Sequence, residues 1–330
     1  MSETTTGKKM EAFTFGDPEP ILDGPGILDY LEAWSFREWY EPPVSFEGLA
    51  KSMRANPHHS SALLVKRNIL LNTLETHPAL SRQDASRLFL DYLVFGNCYP
   101  ERVLDRGGRL ARVRASPAKY TRRGRAPGEF WFVPNLFEEH QFDPDTVFQL
   151  MEPDINQEIY GLPEYLSGLQ AAWLSESATL FRRKYYKNGS HAGFILYLND
   201  ESVEQEDVDS LRTALKDSKG PGNFKNLFMH APGGKKDGIQ LIPVSEVAAK
   251  DEFFNIKTVA RDDVLAAHRV PPQLMGIVPT NTAGFGSAET AAQVFATNEI
   301  EPIQTRVTEI NDWLGEEVFR WRPYTISREQ

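Results

Sequence analysis

Cysteine is almost missing from this chain: Cys98 is the single cysteine among 330 residues. It lies in the apolar run LVFGNCY, which favours a small buried side chain over a reactive nucleophile. One cysteine cannot form an intramolecular disulfide, and this indicates synthesis in a reducing compartment.

Long apolar runs and excess positive charge are missing as well. No segment approaches the roughly 20 apolar residues that a membrane-spanning helix needs, and the first fifteen residues do not resemble a signal peptide. We therefore expect no membrane association. The formal net charge is −10, which argues against a free-standing nucleic-acid binder. It remains compatible with a protein that guides a polyanion without gripping it.

Motifs of catalytic and metal sites are not found. The seven histidines have no metal-ligand spacing, and there is no C-x-x-C. Gly234-Lys235 is not a phosphate loop, because Lys236 stands where that loop has Ser or Thr. Asp262 and Asp263 are adjacent on a predicted helix, which is typical of a solvated face. We predict a protein that is not an enzyme, with no catalytic residue, metal or cofactor.

What the chain does have is long helices, and the stretch Asp154–Leu198 shows this most clearly. Pro163 suits a first helical turn. An apolar stripe at steps of three and four residues follows, made of Leu162, Leu166, Leu169, Trp173, Leu180 and Phe181. Basic residues such as Arg182 and Arg183 complement the helix dipole near its end. Asn188-Gly189 predicts the helix stop, and Phe194–Leu198 predicts a strand.

The other elements follow from local signals. A short helix is predicted within 27–40, and Pro42-Pro43 ends it. Further helices are predicted at 45–55 with Ser45 as N-cap, at 61–75, from Ser81 to Gly96, at 245–268, and at 288–317 with an interruption near Pro302. Strands are predicted at 102–104 and 109–113, joined as a hairpin through Asp105-Arg106-Gly107-Gly108, and at 130–133, 147–151 and 239–242. Residues 320–330 look like a frayed tail.

The segment from Cys98 to Asp145 is rich in arginine. Its basic residues are Arg102, Arg106, Arg109, Arg112, Arg114, Lys119, Arg122, Arg123 and Arg125. A nucleic-acid patch is one interpretation. The outward faces of β-hairpins are the other, which we favour. The irregular loop before residue 288 is long for a helix connection, and this favours a functional role.

Four blocks of the sequence resemble phage portal proteins of the PBSX type. They are EPPVSFEGLAKSMRANPHHSSALLVKRN, LDYLVFGNCY, IYGLPEYLSGLQAAWLSESATLFRRKYYKNGSHAGFI and RVPPQLMGIVPTNTAGFGSAETAAQVFATNEIEPIQ. The resemblance implies an α+β portal fold with a minimal or absent crown. Its parts would be a flexible arm at 1–25, the wing at 26–160, the first stem helix at 161–189, the clip at 190–243, the second stem helix at 244–270, the tunnel loop at 271–287, a long kinked wing helix at 288–317, and a tail at 318–330.

The resemblance also implies a function. We expect a ring, typically of twelve subunits, that forms a DNA channel at one capsid vertex for packaging and ejection. Expected partners are the terminase large subunit, the major capsid protein and scaffold, head-completion or connector proteins, and double-stranded DNA that passes through the channel without sequence specificity. The expected location is the virion, with the host cytoplasm during assembly. Two alternatives stay open: a subunit of a nucleic-acid-processing enzyme, and an adaptor that binds terminase without forming a ring.

The same resemblance supplies candidate site residues. Those expected to face the DNA channel are Asn281, Thr282, Phe285, Arg182, Arg183, Lys235 and Lys236. The basic ones are equally compatible with salt bridges between subunits. Asn188 and Gly189 are expected to end the first stem helix and lead into the clip.

Overall fold

A computed structural model describes residues 35–135, 138–187, 194–198, 239–243, 249–277 and 288–325. The chain divides into two compact units. The larger unit comprises Leu22–Ala178 and Ala249–Gln330, and the smaller unit comprises Met1–Ile21 and Thr179–Ala248. The described elements mix helices with antiparallel sheets, so the fold is α+β, as predicted.

The first three helices are α1 (Phe46–Ser52), α2 (Pro57–Thr73) and α3 (Arg82–Phe95). Each begins at a side-chain oxygen that accepts backbone N–H bonds. Ser45 and Ser81 are two of these, which confirms the predicted N-caps. The third is Asn56, so α2 starts four residues before the predicted Ser61. Pro57 fits this earlier start because the first helical N–H needs no intrahelical partner.

Gly96 ends α3 in the left-handed conformation, with φ at 67°, as predicted. A Cβ at this position would lie 2.5 Å from the carbonyl carbon of Leu162. The glycine therefore serves two purposes: it stops the helix, and it lets the segment around Leu162 pass against the backbone.

The strands of the larger unit are β1 (Ser35–Phe36), β2 (Trp39–Tyr40), β3 (Asn97–Leu104), β4 (Leu110–Ser116), β5 (Thr121–Arg123), β6 (Phe130–Asn135), β7 (Glu138–Gln141) and β8 (Leu150–Met151). They form the sheets β1-β2, β4-β3-β8 and β5-β6-β7, with antiparallel pairing throughout. The predicted hairpin is confirmed, since Leu104 pairs with Leu110. The strand predicted at 147–151 is shorter, because only its last two residues form β8.

The helix predicted within 27–40 is wrong for residues 35–40. These residues form β1 and β2, joined by a turn in which Arg37 has φ at 53°. Trp39 is fully buried, and its ring centroid lies 5.6 Å from that of Trp131. Its backbone also bridges to Gly124. These distant contacts override the local helical pattern.

Two long helices follow the sheets: α4 (Leu169–Lys187) and α5 (Ala249–Ala267). A 3-10 turn, Glu164–Gly168, precedes α4, and another, Pro272–Met275, follows α5. The predicted stripe of α4 is confirmed for its first half, where Leu169 and Trp173 are buried. Leu180 is only half-buried.

The predicted interruption of the helix at 288–317 is confirmed. This region contains α6 (Ala288–Phe295), a π-helical turn (Ala296–Ile300), α7 (Glu301–Val307) and α8 (Glu309–Leu314). Pro302 sits in the first turn of α7. Because proline has no N–H, the helix cannot continue its regular bonding there, and the wider π turn lies just before it.

The tail that was expected to fray at 320–330 is ordered over its described part, 320–325, and the two residues before it are buried. Val318 and Phe319 are each 1% exposed. The backbone of this segment runs beside the end of α2, where Glu75 N–H donates to Arg320 O and Arg322 N–H donates to Thr73 O. The aromatic residues of the tail therefore complete the core instead of fraying.

Within the smaller unit, β9 (Phe194–Leu198) pairs antiparallel with β10 (Ile239–Pro243). Both strands were predicted, and their register joins Phe194 to Pro243 and Leu198 to Ile239. None of the helices in the described ranges has the length and apolar character of a membrane span.

Candidate functional site

The start of α4 and the end of α5 pack closely in the larger unit. Gly168 makes this possible, because a Cβ there would lie 2.6 Å from the Cβ of Ala267. On α5, Val264 and Leu265 are buried. On α4, the indole N–H of Trp173 donates to Ser52 Oγ at 3.3 Å. The N-terminal end of α4 and the C-terminal end of α5 are thus packed against the helical core.

The structure describes two of the predicted channel residues. Arg182 and Arg183 lie in the last turns of α4, and both are exposed. The remaining predicted site residues lie outside the described residues; these are Asn281, Thr282, Phe285, Lys235, Lys236, Asn188 and Gly189.

The arginine-rich segment is largely engaged in contacts within the chain. Arg112 pairs with Asp84 at 2.9 Å, and Arg122 pairs with Glu41 at 3.1 Å. Arg102 donates to the backbone oxygen of Trp313, and its guanidinium group also stacks over the Trp313 ring. These contacts favour the hairpin interpretation over a nucleic-acid patch.

A cluster that the sequence did not predict lies at the base of the two long helices. We call it the polar junction, and it consists of His59, Lys66, Glu164, His268, Arg269 and Glu299. At its centre, His59 Nδ1 and His268 Nε2 lie 2.8 Å apart, and both residues are 2% exposed. Burial lowers the pKa of His59 to about 4. Burial, with the neighbouring His59, lowers the pKa of His268 further. Both imidazoles are therefore neutral at pH 7.

The charged members of the polar junction form a chain of ion pairs. Lys66 Nζ lies 2.8 Å from Glu299 Oε2, and both side chains are about 5% exposed or less. Arg269 reaches the other oxygen of Glu299 at 2.8 Å and also contacts Glu164 at 3.0 Å. Glu299 belongs to the π turn. The junction therefore links α2, the 3-10 turn before α4, the residue after α5 and the interrupted helix.

A second carboxylate lies beside the polar junction. Glu152 accepts from Arg306 at 3.0 Å and from the hydroxyl of Tyr92. Burial raises the pKa of Glu152. Glu152, Lys66 and His268 line one small cavity of about 20 Å³. The arrangement offers no nucleophile next to a base, and no group of three metal-ligating side chains occurs among the described residues. The ion pairs and hydrogen bonds of the polar junction stabilise the packing of these helices against one another.

One signal in the sequence could have indicated the polar junction, although it was not used in the prediction. Lys66 lies at helical spacing between the buried Leu63 and Leu70 on α2. A lysine within an apolar stripe needs a buried counter-ion. Only the folded chain identifies Glu299, 233 positions away, as that counter-ion.

Buried Cys98 matches its prediction as a core residue. It is 2% exposed, and burial raises the pKa of its thiol. The thiolate that a nucleophile needs is therefore disfavoured.

Comparison with known proteins gives consistent matches. The family model described as "Phage portal protein" matches residues 66–327. The probable portal protein of Escherichia phage P2 is 57% identical over 323 residues, which cover 98% of this chain and 94% of that protein. The probable portal protein of Haemophilus phage HP1 is 34% identical over 275 residues, covering 82% of this chain and 80% of that one.

Solved structures share the fold. The chain resembles an HK97 family phage portal protein from Corynebacterium diphtheriae with a TM-score of 0.55 and 16% identity, over 85% of this chain and 90% of that one. It also resembles a chain in the neck of a native gene transfer agent particle, computed with C12 symmetry, with a TM-score of 0.59 and 17% identity. That match covers 83% of this chain and 82% of the other.

Proposed function

Because the chain belongs to the phage portal protein family, we propose that twelve copies form a ring at one capsid vertex, with double-stranded DNA passing through its centre. The observation that carries this proposal is the match to the phage P2 portal protein along nearly the whole chain. Within the family, the four sequence blocks favour the PBSX type. The protein then acts as a conduit and docking platform and performs no catalysis.

Exposed apolar residues on the long helices support assembly. Leu174 on α4 is 53% exposed, and Val259 on α5 is 60% exposed. Contact with a neighbouring subunit would remove this apolar surface from water. We assign α4 and α5 to the stem, residues 26–160 and the interrupted helix 288–317 to the wing, and β9 and β10 to the clip.

The negative net charge of the chain supports a channel that does not bind DNA tightly. The net charge of −10 repels phosphates and favours sliding. Arg182 and Arg183 near the end of α4, with Lys235, Lys236, Asn281, Thr282 and Phe285, are the candidates for weak contacts with DNA. Such contacts weaken as salt rises.

The expected partners follow from the proposed position at the vertex. We infer that the clip binds the terminase large subunit during packaging and head-completion or connector proteins afterwards. The major capsid protein and scaffold surround the wing. Assembly takes place in the host cytoplasm before the ring enters the virion.

Ring formation is tested by mass photometry and negative-stain microscopy of the purified protein. We expect particles whose mass is twelve times the 37.4 kDa chain. Leu174→Glu combined with Val259→Glu should prevent the ring, because buried unpaired carboxylates are costly. Gln170→Glu, on an exposed position of α4, is the control and should still assemble. A wild-type protein that stays monomeric or dimeric under all conditions would contradict the proposal.

A further inference from the structure

The larger unit carries a cleft of about 400 Å³. Its cationic lining comes from Arg87 on α3 and from Arg112 and Arg114 on β4. Phe132 and Phe142 give it an apolar wall, and their ring centroids lie 6.5 Å apart. The cleft thus combines guanidinium groups with aromatic surface, a combination suited to an occupant that is both apolar and acidic.

One of the two carboxylates in the cleft lining is already paired. Asp84 is buried and pairs with Arg112 at 2.9 Å; it also accepts from the backbone N–H of Ala115. Glu101 lies opposite Arg114 in the β3-β4 register. Arg87 is exposed on α3. With three arginines against two carboxylates, the lining of the cleft has positive charge in excess. An incoming carboxylate would therefore be attracted to it.

A turn elsewhere in the same unit has the complementary character. Ile155 is 98% exposed at the tip of the segment EPDINQE, which contains no basic residue. The turn is well defined, because Asp154 Oδ1 accepts from the N–H of Asn156 at 2.8 Å and Asp154 bridges to Gln157. Glu158 follows and is exposed. We call residues 154–158 the acidic turn.

The acidic turn and the cleft are associated with opposite outer strands of one sheet. The strand order is β4-β3-β8; the cleft is lined from β4, and the acidic turn follows β8. No residue of the turn lines the cleft in its own chain, so an acidic turn that entered such a cleft would belong to another copy. A patch that meets a different patch on the next copy is a heterologous contact, which generates a closed ring when the rotation closes.

We propose that the acidic turn of one subunit binds in the cleft of its neighbour. Ile155 packs against Phe132 and Phe142, and the carboxylates of Asp154 and Glu158 pair with Arg87 and Arg114. This contact rests on the proposed ring and specifies one surface that holds it together.

Cross-linking tests the contact in the assembled full chain. The native Cys98 is buried, so it should react little with maleimides and should not obscure the cross-links of introduced thiols. In the variant Ile155→Cys/His140→Cys, a short bis-maleimide should produce a ladder of covalent oligomers, because His140 lies in the cleft lining. The matched control is Ile155→Cys/Glu139→Cys. Successive residues of a strand point to opposite faces, so this pair should give no ladder.

The outcomes separate this inference from the proposed function. Rings that form without a ladder, or ladders of equal strength in both variants, overturn the contact and leave the ring standing. If the wild-type chain forms no ring, the proposed function fails first.

A single substitution covers the case in which the double variant does not assemble. In rings of Ile155→Cys, maleimide labelling should be about tenfold slower than in dissociated subunits, since reactivity follows exposure of the thiol. Equal labelling rates in rings and subunits would overturn the contact.

Discussion

His59 and His268 stand 209 positions apart in the sequence, yet His59 Nδ1 lies 2.8 Å from His268 Nε2 in the core. The two rings also pack on Tyr165, with centroid distances of 4.6 Å from His59 and 5.2 Å from His268. The pair joins the N-terminal turn of α2 to the residue after α5. It connects the C-terminal end of α5 to the helical core, so protonation of either histidine would lower the stability of this connection.

The histidine pair predicts a pH dependence of stability. Burial lowers the pKa of both imidazoles from 6.5. Below pH 6.5 the unfolded chain therefore binds protons at these histidines that the folded chain does not bind. Their contribution is complete above pH 6.5 and is lost as the pH falls toward 4. Over this window, urea unfolding should show the wild type losing on the order of 1–3 kcal/mol more than His59→Gln/His268→Gln.

Two comparisons show whether the pH dependence comes from the buried histidine pair. Burial raises the pKa of Asp91 to about 7, and its opposite titration is common to both chains, so the difference isolates the histidines. His140→Gln, at an exposed position, should keep the wild-type pH dependence. Equal pH dependence in the wild type and the double variant would contradict the buried neutral pair.

The ion pair between Lys66 and Glu299 predicts an asymmetric response to substitution. Glu299→Leu leaves the lysine buried without its carboxylate and should cost about 3–5 kcal/mol in the free energy of unfolding. Lys66→Met/Glu299→Leu should recover much of that loss, because it removes both buried charges. Chemical denaturation of the single and double variants measures the difference.

The control for this experiment is an exposed pair. Lys51 lies 3.4 Å from Glu47, and their side chains are 60% and 52% exposed. Lys51→Ala should therefore change stability by less than about 1 kcal/mol. A loss at Glu299→Leu that is no larger than this, or a double variant no more stable than Glu299→Leu, would argue against the buried pair.

The contact between Gly168 and Ala267 predicts a suppressor. Gly168→Ala places a methyl group 2.6 Å from the Cβ of Ala267 and should destabilise the chain by about 1–3 kcal/mol. Ala267→Gly removes the opposing methyl and should restore part of that loss in the double variant. Thermal unfolding of the three variants gives the coupling; purely additive effects would mean that the methyl groups do not meet.

The ordered tail predicts sensitivity at Phe319. Phe319→Ala removes a side chain that is 1% exposed and should cost about 3–5 kcal/mol. Glu317→Ala, two residues earlier and exposed, should cost less than about 0.5 kcal/mol. Similar losses in urea unfolding for the two variants would favour a tail that contributes little to the core.

Local signals in the sequence determined where most elements begin and end. Ser45, Ser81 and Gly96 act within a few residues of themselves, so their capping roles could be predicted without the fold. The same holds for the hairpin around Asp105–Gly108 and for the interruption near Pro302. The four family blocks likewise identified the portal family, because they are long and occur in order.

Tertiary structure alone decided the features that join distant segments. Helical periodicity could place Lys66 on a buried face, but it could not name Glu299 as its partner. Residues 35–40 became strands because Trp39 packs against Trp131, and the tail became ordered because Phe319 fills the core. In each case the stabilising contact spans a large sequence separation, and local propensity carries no information about such a contact.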